Sequence, residues 1–214
     1  MKVYFVSGLA ADSRVFKNIQ LPAHCTPVFL EWITPLKNES LKNYALRLAE
    51  GIDVSEPFAI IGLSMGGMIT AEISRRYKPA FTILISSVPC SKELPFYFKA
   101  AGALRLHKMV PVSFVKSAAK FKRVFTTESN EDKVILRNII QDSDSKFIYW
   151  AMDAILKWRS EDLPSSYTHI HGTKDEILPV RFTKPTHIIS KAGHLMVMNR
   201  AEEVNAILKE VLHN

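Results

Sequence analysis

The sequence predicts an α/β protein in which a mostly parallel sheet of about six strands carries helices on both faces, with a helical segment inserted after the fourth strand. Short apolar runs recur along the 214 residues, and amphipathic stretches with helical spacing separate them. The runs are apolar at successive positions instead of alternating, which is typical of strands buried on both faces. This length suffices for one large core, so we expect a single domain.

The predicted strands are short runs rich in β-branched and aromatic residues, and they occupy residues 3–6, 27–32, 58–63, 81–85, 167–171 and 186–189. A helix is predicted after the second strand, because an apolar stripe recurs there at helical spacing: Leu41, Tyr44, Ala45, Leu48 and Ala49. A similar stripe occupies residues 201–212, and Asn199 and Glu202 are placed as the N-cap of that helix and its partner.

Residues 91–160 interrupt this alternation, because they hold helical and aromatic material but no convincing strand. A segment of about 70 residues is too long for an unstructured loop in a compact domain, so several helices are expected. Trp150 and Trp158, at helical spacing, are interpreted as packing residues of these helices. The predicted core therefore comprises residues 1–90 and 161–214.

The most distinctive stretch is IIGLSMGG, in which a buried strand ends on a serine between glycines. A turn from strand directly into helix requires a strained backbone at Ser64, and side chains two residues before and after it would collide. Gly62 and Gly66 remove that collision and leave the serine hydroxyl exposed at the edge of the sheet. The helix that follows points its first N–H groups toward any negative charge that develops on a ligand.

A candidate acid and base follow later strands, in the chain order that a serine at such a turn requires. The sequence HGTKDEILP places Asp175 in the loop after the fifth strand, and SKAGHLMVMN places His194 between the last strand and the last helix. Glu176 and Asp153 are rival candidates for the acid, although Asp153 is expected on the surface of a helix. The position of His194 directly after Gly193 favours a catalytic over a structural histidine.

In these motifs the sequence resembles the α/β-hydrolase superfamily, and specifically its small single-domain serine hydrolases. The motifs are Gly62-Leu63-Ser64-Met65-Gly66, His171-Gly172-Thr173-Lys174-Asp175 and Ala192-Gly193-His194. The resemblance extends over nearly the whole chain outside the insertion. It implies that Ser64 is the nucleophile, His194 the general base and later the acid, and Asp175 the group that fixes the imidazole tautomer.

The same resemblance implies an oxyanion hole made by two backbone N–H groups, one from Met65 and one from Leu9. The family usually shows His-Gly before the second donor, where this chain has Ser7-Gly8, so Leu9 matches the pattern less closely. The resemblance also implies that residues 91–160 form a cap over the site and that the strands lie in the order 2-1-3-4-5-6.

We therefore predict a hydrolase that cleaves a carboxylic ester or thioester through an acyl-enzyme on Ser64, with no metal and no organic cofactor. The alternative is a receptor or binding module that holds a small ligand in the same pocket with little or no turnover, since a fold alone does not fix function. His169 and His171 alternate on a strand as a metal-binding pair would. No third ligand stands at a suggestive spacing, so packing and turn hydrogen bonds are the favoured interpretation.

The net charge of +7 is concentrated in the first half of the insertion. That stretch holds two acidic and eight basic residues, the basic ones being Lys92, Lys99, Arg105, Lys108, Lys116, Lys120, Lys122 and Arg123. They form either a solvated surface or a cationic face that attracts an anionic substrate or an anionic lipid surface. No nucleic-acid motif accompanies them, so nucleic acid is not an expected partner.

No apolar run approaches the roughly 20 residues needed to span a bilayer, and the first apolar segment is too short for a secretory signal. We therefore expect a cytoplasmic protein without a transmembrane segment, and the oligomeric state stays open. Cys25 and Cys90 lie far apart with no metal-type spacing, so they are expected to be small buried hydrophobic residues.

Overall fold

One parallel sheet organises the part of the chain that this computed structural model describes, residues 1–104 and 129–213. Its strands are β1 (Lys2–Val6), β2 (Thr26–Phe29), β3 (Phe58–Leu63), β4 (Phe81–Ile85), β5 (Thr168–Gly172) and β6 (His187–Ile189). They lie in the order β2-β1-β3-β4-β5-β6, and every neighbouring pair is parallel. The predicted number, direction and order of strands are confirmed.

The register of the strands brings their carboxyl ends to one edge of the sheet. Val6, the last residue of β1, pairs with Gly62 near the end of β3. Gly172 and Ile189, the last residues of β5 and β6, pair with each other. The loops that follow these strands therefore begin side by side, which is where ligands bind in open α/β sheets.

Helices cover both faces of this sheet. They are α1 (Leu41–Leu48), α2 (Met65–Tyr77), α3 (Phe96–Ala103), α4 (Asn130–Asp142), α5 (Ser145–Lys157), α6 (Met196–Asn199) and α7 (Ala201–His213). Val3 and Phe5 of β1 belong to the hydrophobic cluster that includes α7, whereas Tyr4 and Val6 belong to the cluster that includes α1 and α2. The strands are thus buried on both sides, as their uninterrupted apolar character predicts.

Three of these helices, α3, α4 and α5, occupy the described part of the segment between β4 and β5. α4 and α5 each begin at a side chain that caps the first turn. Ser129 accepts a hydrogen bond from the N–H of Asp132, and Asp144 accepts one from the N–H of Lys146. The helices expected in this segment are therefore present, and local capping explains where two of them start.

Two tryptophans attach α5 to the helices on the sheet. Trp158, which is 3% exposed, donates its Nε1–H to Oε1 of Glu72 on α2 at 2.7 Å. Trp150 donates to the backbone carbonyl of Glu39 at 2.9 Å and packs against Tyr44, with the ring centroids 4.3 Å apart. Both are packing residues as predicted, but their partners lie on or beside α1 and α2 and not only within the insertion.

The prediction that Asn199 is the N-cap of the last helix is wrong. Asn199 is the last residue of α6, and Arg200, with φ −134° and ψ 33°, separates α6 from α7. Residues 196–198 are buried, and the short helix turns their side chains into the core before α7 starts. His194 therefore precedes a short helix and not the last one.

The basic cluster that the sequence predicts is only partly described. Lys92 forms an ion pair with Glu161 at 2.8 Å, and Lys99 is exposed. The other six residues of the cluster lie outside the described residues: Arg105, Lys108, Lys116, Lys120, Lys122 and Arg123.

Cys25 and Cys90 are buried and unpaired, as the sequence predicts. Across residues 1–104 and 129–213, no helix combines the length and apolar character needed to cross a membrane.

Candidate active site

Ser64 lies in the turn between β3 and α2, in the strained conformation that its motif predicts. Its φ is 55° and its ψ is −119°, a region that residues other than glycine rarely adopt. The N–H of Ser64 donates to the carbonyl of Ile85 at 2.9 Å, and Ser87 Oγ–H donates to the carbonyl of Ser64 at 2.6 Å. These bonds offset the strain and fix the direction in which the serine side chain points.

The glycines around Ser64 are required by close backbone contacts. A Cβ atom at Gly62 would lie 2.3 Å from the carbonyl oxygen of Gly66. A Cβ atom at Gly66 would lie 2.2 Å from the carbonyl oxygens of both Val6 and Ser7. The collision expected between positions 62 and 66 is therefore only part of the reason, since Gly66 also lets α2 approach the end of β1.

The structure brings the three predicted catalytic residues together in one hydrogen-bonded row. His194 Nε2 lies 2.8 Å from Ser64 Oγ, and His194 Nδ1 lies 2.7 Å from Asp175 Oδ2. The three side chains follow β3, β5 and β6, whose carboxyl ends lie along the same edge of the sheet, with β4 between β3 and β5. With a proton on Nδ1, the imidazole donates to the carboxylate and can accept the serine proton at Nε2, as a general base must.

Asp175 is held as a buried carboxylate. Its Oδ1 accepts hydrogen bonds from the N–H groups of Ile177 and Leu178, both at 2.9 Å. Burial by itself raises the pKa of Asp175, but the charge of His194 and hydrogen bonds from His171, His194 and Leu178 outweigh it and hold the pKa well below 3.8. The group therefore stays ionised at neutral pH and accepts hydrogen bonds only.

The rival acids lie elsewhere. Asp153 sits on α5, where it forms an ion pair with Lys157 at 2.5 Å, so it is on a helix as expected. Glu176 directly follows Asp175 but is exposed, whereas Asp175 is 4% exposed. Of the three candidate acids, Asp175 lies in hydrogen-bond contact with His194.

His169 and His171 are buried on β5, and they contact each other and the loop that carries Asp175. His169 Nε2 lies 3.0 Å from His171 Nδ1, and His171 Nε2 lies 2.7 Å from the carbonyl oxygen of Leu178. His171 Nε2 also lies 3.3 Å from Asp175 Oδ2, a contact that the sequence analysis missed. The only hint of this contact in the sequence is that His171 and Asp175 stand four residues apart, on either side of the end of β5. Within the described residues, no group of three potential ligands is placed to hold a metal ion.

The predicted oxyanion donors flank Ser64. α2 begins at Met65, so its first N–H groups have no carbonyl partner within the helix and carry its positive dipole end. The loop after β1 also lies close to the serine, since a Cβ atom at Gly8 would lie 3.3 Å from Ser64 Cβ. Leu9, Met65 and Ser64 line the same cavity, so both candidate donors belong to one site.

Comparison with solved structures identifies the fold around this site. A carboxylesterase of the thaumarchaeon Nitrososphaera gargenis superposes with a TM-score of 0.76 at 14% identity, covering 99% of this chain and 89% of the other. A thermophilic esterase from Thermogutta terrifontis superposes with a TM-score of 0.69 at 19% identity, over 100% and 89% of the two chains. The chain has the α/β-hydrolase fold.

An enol-lactonase from Burkholderia xenovorans LB400 shares this fold with a TM-score of 0.71 at 14% identity, over 100% of this chain and 91% of the other. No family model matches the sequence, and no curated protein matches it significantly. At these identities the likeness concerns the fold alone.

Within this α/β-hydrolase fold, Ser64 and His194 open into a cavity of about 220 Å³. The inserted helices contribute apolar side chains to its wall: Phe98, Leu136, Ile140 and Ile155. Ser64 and His194 supply the polar side chains among the described residues of the lining, which include no lysine, arginine, aspartate or glutamate. The cavity therefore suits an uncharged, apolar group placed next to the serine.

Proposed function

We propose that this protein hydrolyses carboxylic esters or thioesters through an acyl-enzyme on Ser64. The observation that carries the proposal is the row of hydrogen bonds from Ser64 Oγ through His194 to Asp175, at 2.8 Å and 2.7 Å. A serine is a weak nucleophile unless a base in hydrogen-bond contact removes its proton. The same serine faces an apolar cavity, so a substrate can bind where the base acts.

In the first half of the reaction, Ser64 Oγ attacks the carbonyl carbon of the substrate while His194 Nε2 takes the hydroxyl proton. The imidazolium that forms lies against the ionised carboxylate of Asp175, which stabilises it. The carbonyl π electrons move to oxygen, and the N–H groups of Met65 and Leu9 donate to the resulting oxyanion. His194 then gives its proton to the leaving alcohol or thiol, and the acyl group stays on Ser64.

In the second half, His194 Nε2 takes a proton from a water molecule, whose oxygen attacks the acyl carbon. The tetrahedral intermediate collapses, Ser64 Oγ leaves, and His194 returns the proton to it. The products are a carboxylic acid and free Ser64. Every proton transfer in this scheme uses one nitrogen, because Nδ1 of His194 is held by Asp175.

The cavity supports an apolar acyl group as the bound part of the substrate. Its described walls carry no charged side chain, so burying a charge there would incur a large desolvation penalty. An anionic substrate, if the basic cluster attracts one, therefore carries its charge on a part that lies outside the described walls of this cavity. Esterases and an enol-lactonase among the structural neighbours support ester chemistry on this scaffold.

We also propose that residues 91–160 act as a cap on a core made of residues 1–90 and 161–214. Support comes from the cavity wall, to which α3, α4 and α5 all contribute side chains. The two cysteines are free, which agrees with a reducing compartment, and we propose a cytoplasmic location on that ground.

The test is an activity panel of p-nitrophenyl esters and acyl thioesters of increasing chain length, run with a fluorophosphonate probe. We expect hydrolysis of uncharged acyl chains, labelling of Ser64 alone, and a loss of kcat of up to about 10⁶-fold in Ser64→Ala. Ser55→Ala, which changes an exposed serine, is the matched control and keeps both signals. Binding of these esters without turnover would instead support the receptor alternative, and turnover in Ser64→Ala would remove Ser64 from the mechanism.

A further inference from the structure

A buried chain of imidazoles lies behind Asp175. His169 and His171 are both 0% exposed on β5, and their rings contact each other through His169 Nε2 and His171 Nδ1 at 3.0 Å. The chain continues from His171 Nε2 to Asp175 Oδ2 at 3.3 Å and from Asp175 to His194 at 2.7 Å. Two histidines that the proposed mechanism does not use are thus connected to the residue that orients its base.

The direction of these hydrogen bonds follows from the acceptor at one end. The carbonyl oxygen of Leu178 can only accept, so His171 Nε2, at 2.7 Å, carries a proton. With Nε2 as its donor, His171 accepts at Nδ1, and His169 donates to it from Nε2. Burial, and after it the charge of His171, lower the pKa of His169 to about 3, so His169 is neutral at neutral pH. Both tautomers are therefore fixed by their neighbours.

This arrangement completes the set of donors around the Asp175 carboxylate. Oδ1 receives the N–H groups of Ile177 and Leu178, and Oδ2 receives Nδ1–H of His194 and lies 3.3 Å from His171 Nε2, whose closer partner is the Leu178 carbonyl. A carboxylate with donors on both oxygens is held against rotation. The N–H of His171 also interacts with the negative charge of the Asp175 carboxylate, so that charge does not act on His194 alone.

We propose that His171, oriented by His169, is a positioning residue for the hydrolysis proposed above. Its Nε2–H holds Asp175 in the orientation that His194 needs and moderates the attraction between the carboxylate and the imidazolium of His194. The inference rests on the proposed function, because it concerns the same base. This positioning role depends on the N–H of His171, whereas a packing role would depend only on the shape of its ring.

Other titratable groups near Asp175 enter the same balance. Among the described residues, besides the histidines, Tyr97 on α3 interacts electrostatically with Asp175, and Arg181 interacts with Tyr97. Tyr97 Oη–H donates to the carbonyl of Ile177 at 3.5 Å, and burial raises the pKa of Tyr97. Tyr97, whose pKa burial raises, does not change its charge between pH 5 and 8, so a pH profile in that range reports mainly the histidines.

The experiment compares His171→Leu, which removes the N–H, with His171→Gln, which offers an amide N–H at a similar distance from the backbone. The profile of kcat/KM against pH is measured for an uncharged p-nitrophenyl ester. In His171→Leu the charge of Asp175 acts on His194 alone and stabilises the imidazolium, so the base is protonated up to a higher pH. We expect the acid limb to move up by about half a pH unit or more. We expect kcat to fall about tenfold and KM to stay within about twofold.

His171→Gln is expected to keep the wild-type midpoint of the acid limb, with kcat above that of His171→Leu. The midpoint does not depend on how much of a sample is folded, so a loss of folded protein cannot imitate the shift. If His171→Leu does not fold, His171→Phe fills the ring's space without an N–H and takes its place. His24→Gln, which changes an exposed histidine before β2, is the control and leaves the midpoint unmoved.

A wild-type midpoint in the variant without an N–H would overturn the inference, as would equal shifts in the glutamine and apolar variants. Either result, with Ser64→Ala inactive, would leave the proposed hydrolysis standing. Full activity of Ser64→Ala would instead remove the hydrolysis itself, so the two failures are distinguishable.

Discussion

The ends of the strands and the inserted helices are held in different ways. At the strand ends, backbone geometry fixes the side chains, as the φ of 55° at Ser64 and the contacts at Gly66 show. The inserted helices are attached through long side chains, such as Trp158 to Glu72 at 2.7 Å. Arg75 of α2 likewise donates to the backbone carbonyls of residues 89 and 162, at the two boundaries of the insertion.

The difference teaches that the proposed chemistry and the attachment of the inserted helices rest on separate parts of the chain. The hydrogen-bonded row comes wholly from loops after β3, β5 and β6, whereas the inserted helices add apolar side chains to one part of the cavity wall. Substitutions at the strand ends should therefore change the rate or break the turn. Substitutions at the attachments of the inserted helices should change stability with little effect on the rate per folded molecule.

Among the substitutions that test this difference, Asp175→Asn is expected to have the largest effect, which is on kcat. The amide cannot fix the tautomer of His194 as the carboxylate does, so kcat should fall about 10⁴-fold while the melting temperature changes little. Asp153→Asn and Glu176→Gln are the matched controls, and steady-state kinetics should find both within about threefold of wild type. A severe loss in either control, with Asp175→Asn active, would show that the acid is another residue.

Gly66→Ala tests whether the strand ends depend on backbone proximity. Its Cβ atom would lie 2.2 Å from the carbonyl oxygens of Val6, at the end of β1, and of Ser7 in the loop after it, so α2 would have to move. We expect a loss of about 3 kcal/mol in the free energy of unfolding, measured with urea. Gly51→Ala is the control, because its nearest neighbour would be 3.6 Å away, and it should be close to neutral. Equal stability of the two variants would contradict the account of the turn.

Trp158→Phe tests the attachment of the inserted helices. It removes the N–H that Glu72 Oε1 accepts at 2.7 Å in a buried place, and we expect a loss of about 2 kcal/mol in the free energy of unfolding. Trp150→Phe removes a bond to a neutral backbone carbonyl and should lose about 1 kcal/mol. In both variants kcat, corrected for the folded fraction, should stay within about threefold. A larger fall in kcat would mean that the two regions are not separable.

The last prediction is a dependence of stability on pH that originates in the sheet. The pKa of His169 falls from 6.5 to about 3 on folding, chiefly through burial. Between these pH values the unfolded chain binds a proton at His169 and the folded chain does not. The free energy of unfolding should therefore decrease as pH drops from 6.5 toward 3. Asp175, whose pKa is also lowered, contributes only below its ordinary value of 3.8.

The size of this decrease is at most about 1.4 kcal/mol per pH unit for one proton. Urea unfolding at several pH values between 4 and 7 should show a shallower slope in His169→Leu than in the wild type. His24→Leu, in which the substituted histidine is exposed, should keep the wild-type slope. An unchanged slope in His169→Leu would show that other groups cause the acid sensitivity.

The sequence predicted those features that depend on neighbouring residues in the chain. Apolar runs and glycine spacing are local, so all the strands and the turn at Ser64 could be recognised. Asn199 was misjudged because its pattern with Glu202 is that of a cap, whereas burial of residues 196–198 decides where the helix starts. The contact of His171 with Asp175 depends on how the loop after β5 folds back on its strand, and residue order does not determine that path.

The position of β6 has a consequence for how activity develops during folding. This strand has three residues, lies at the edge of the sheet, and leaves Ile188 59% exposed. His194 depends on it, yet its partner Ser64 is 130 residues away in the chain. Helices form from local contacts, whereas such distant pairings form late. When the denatured protein is diluted into buffer, the helical circular dichroism signal should therefore return first, and hydrolysis only once the edge strand has docked.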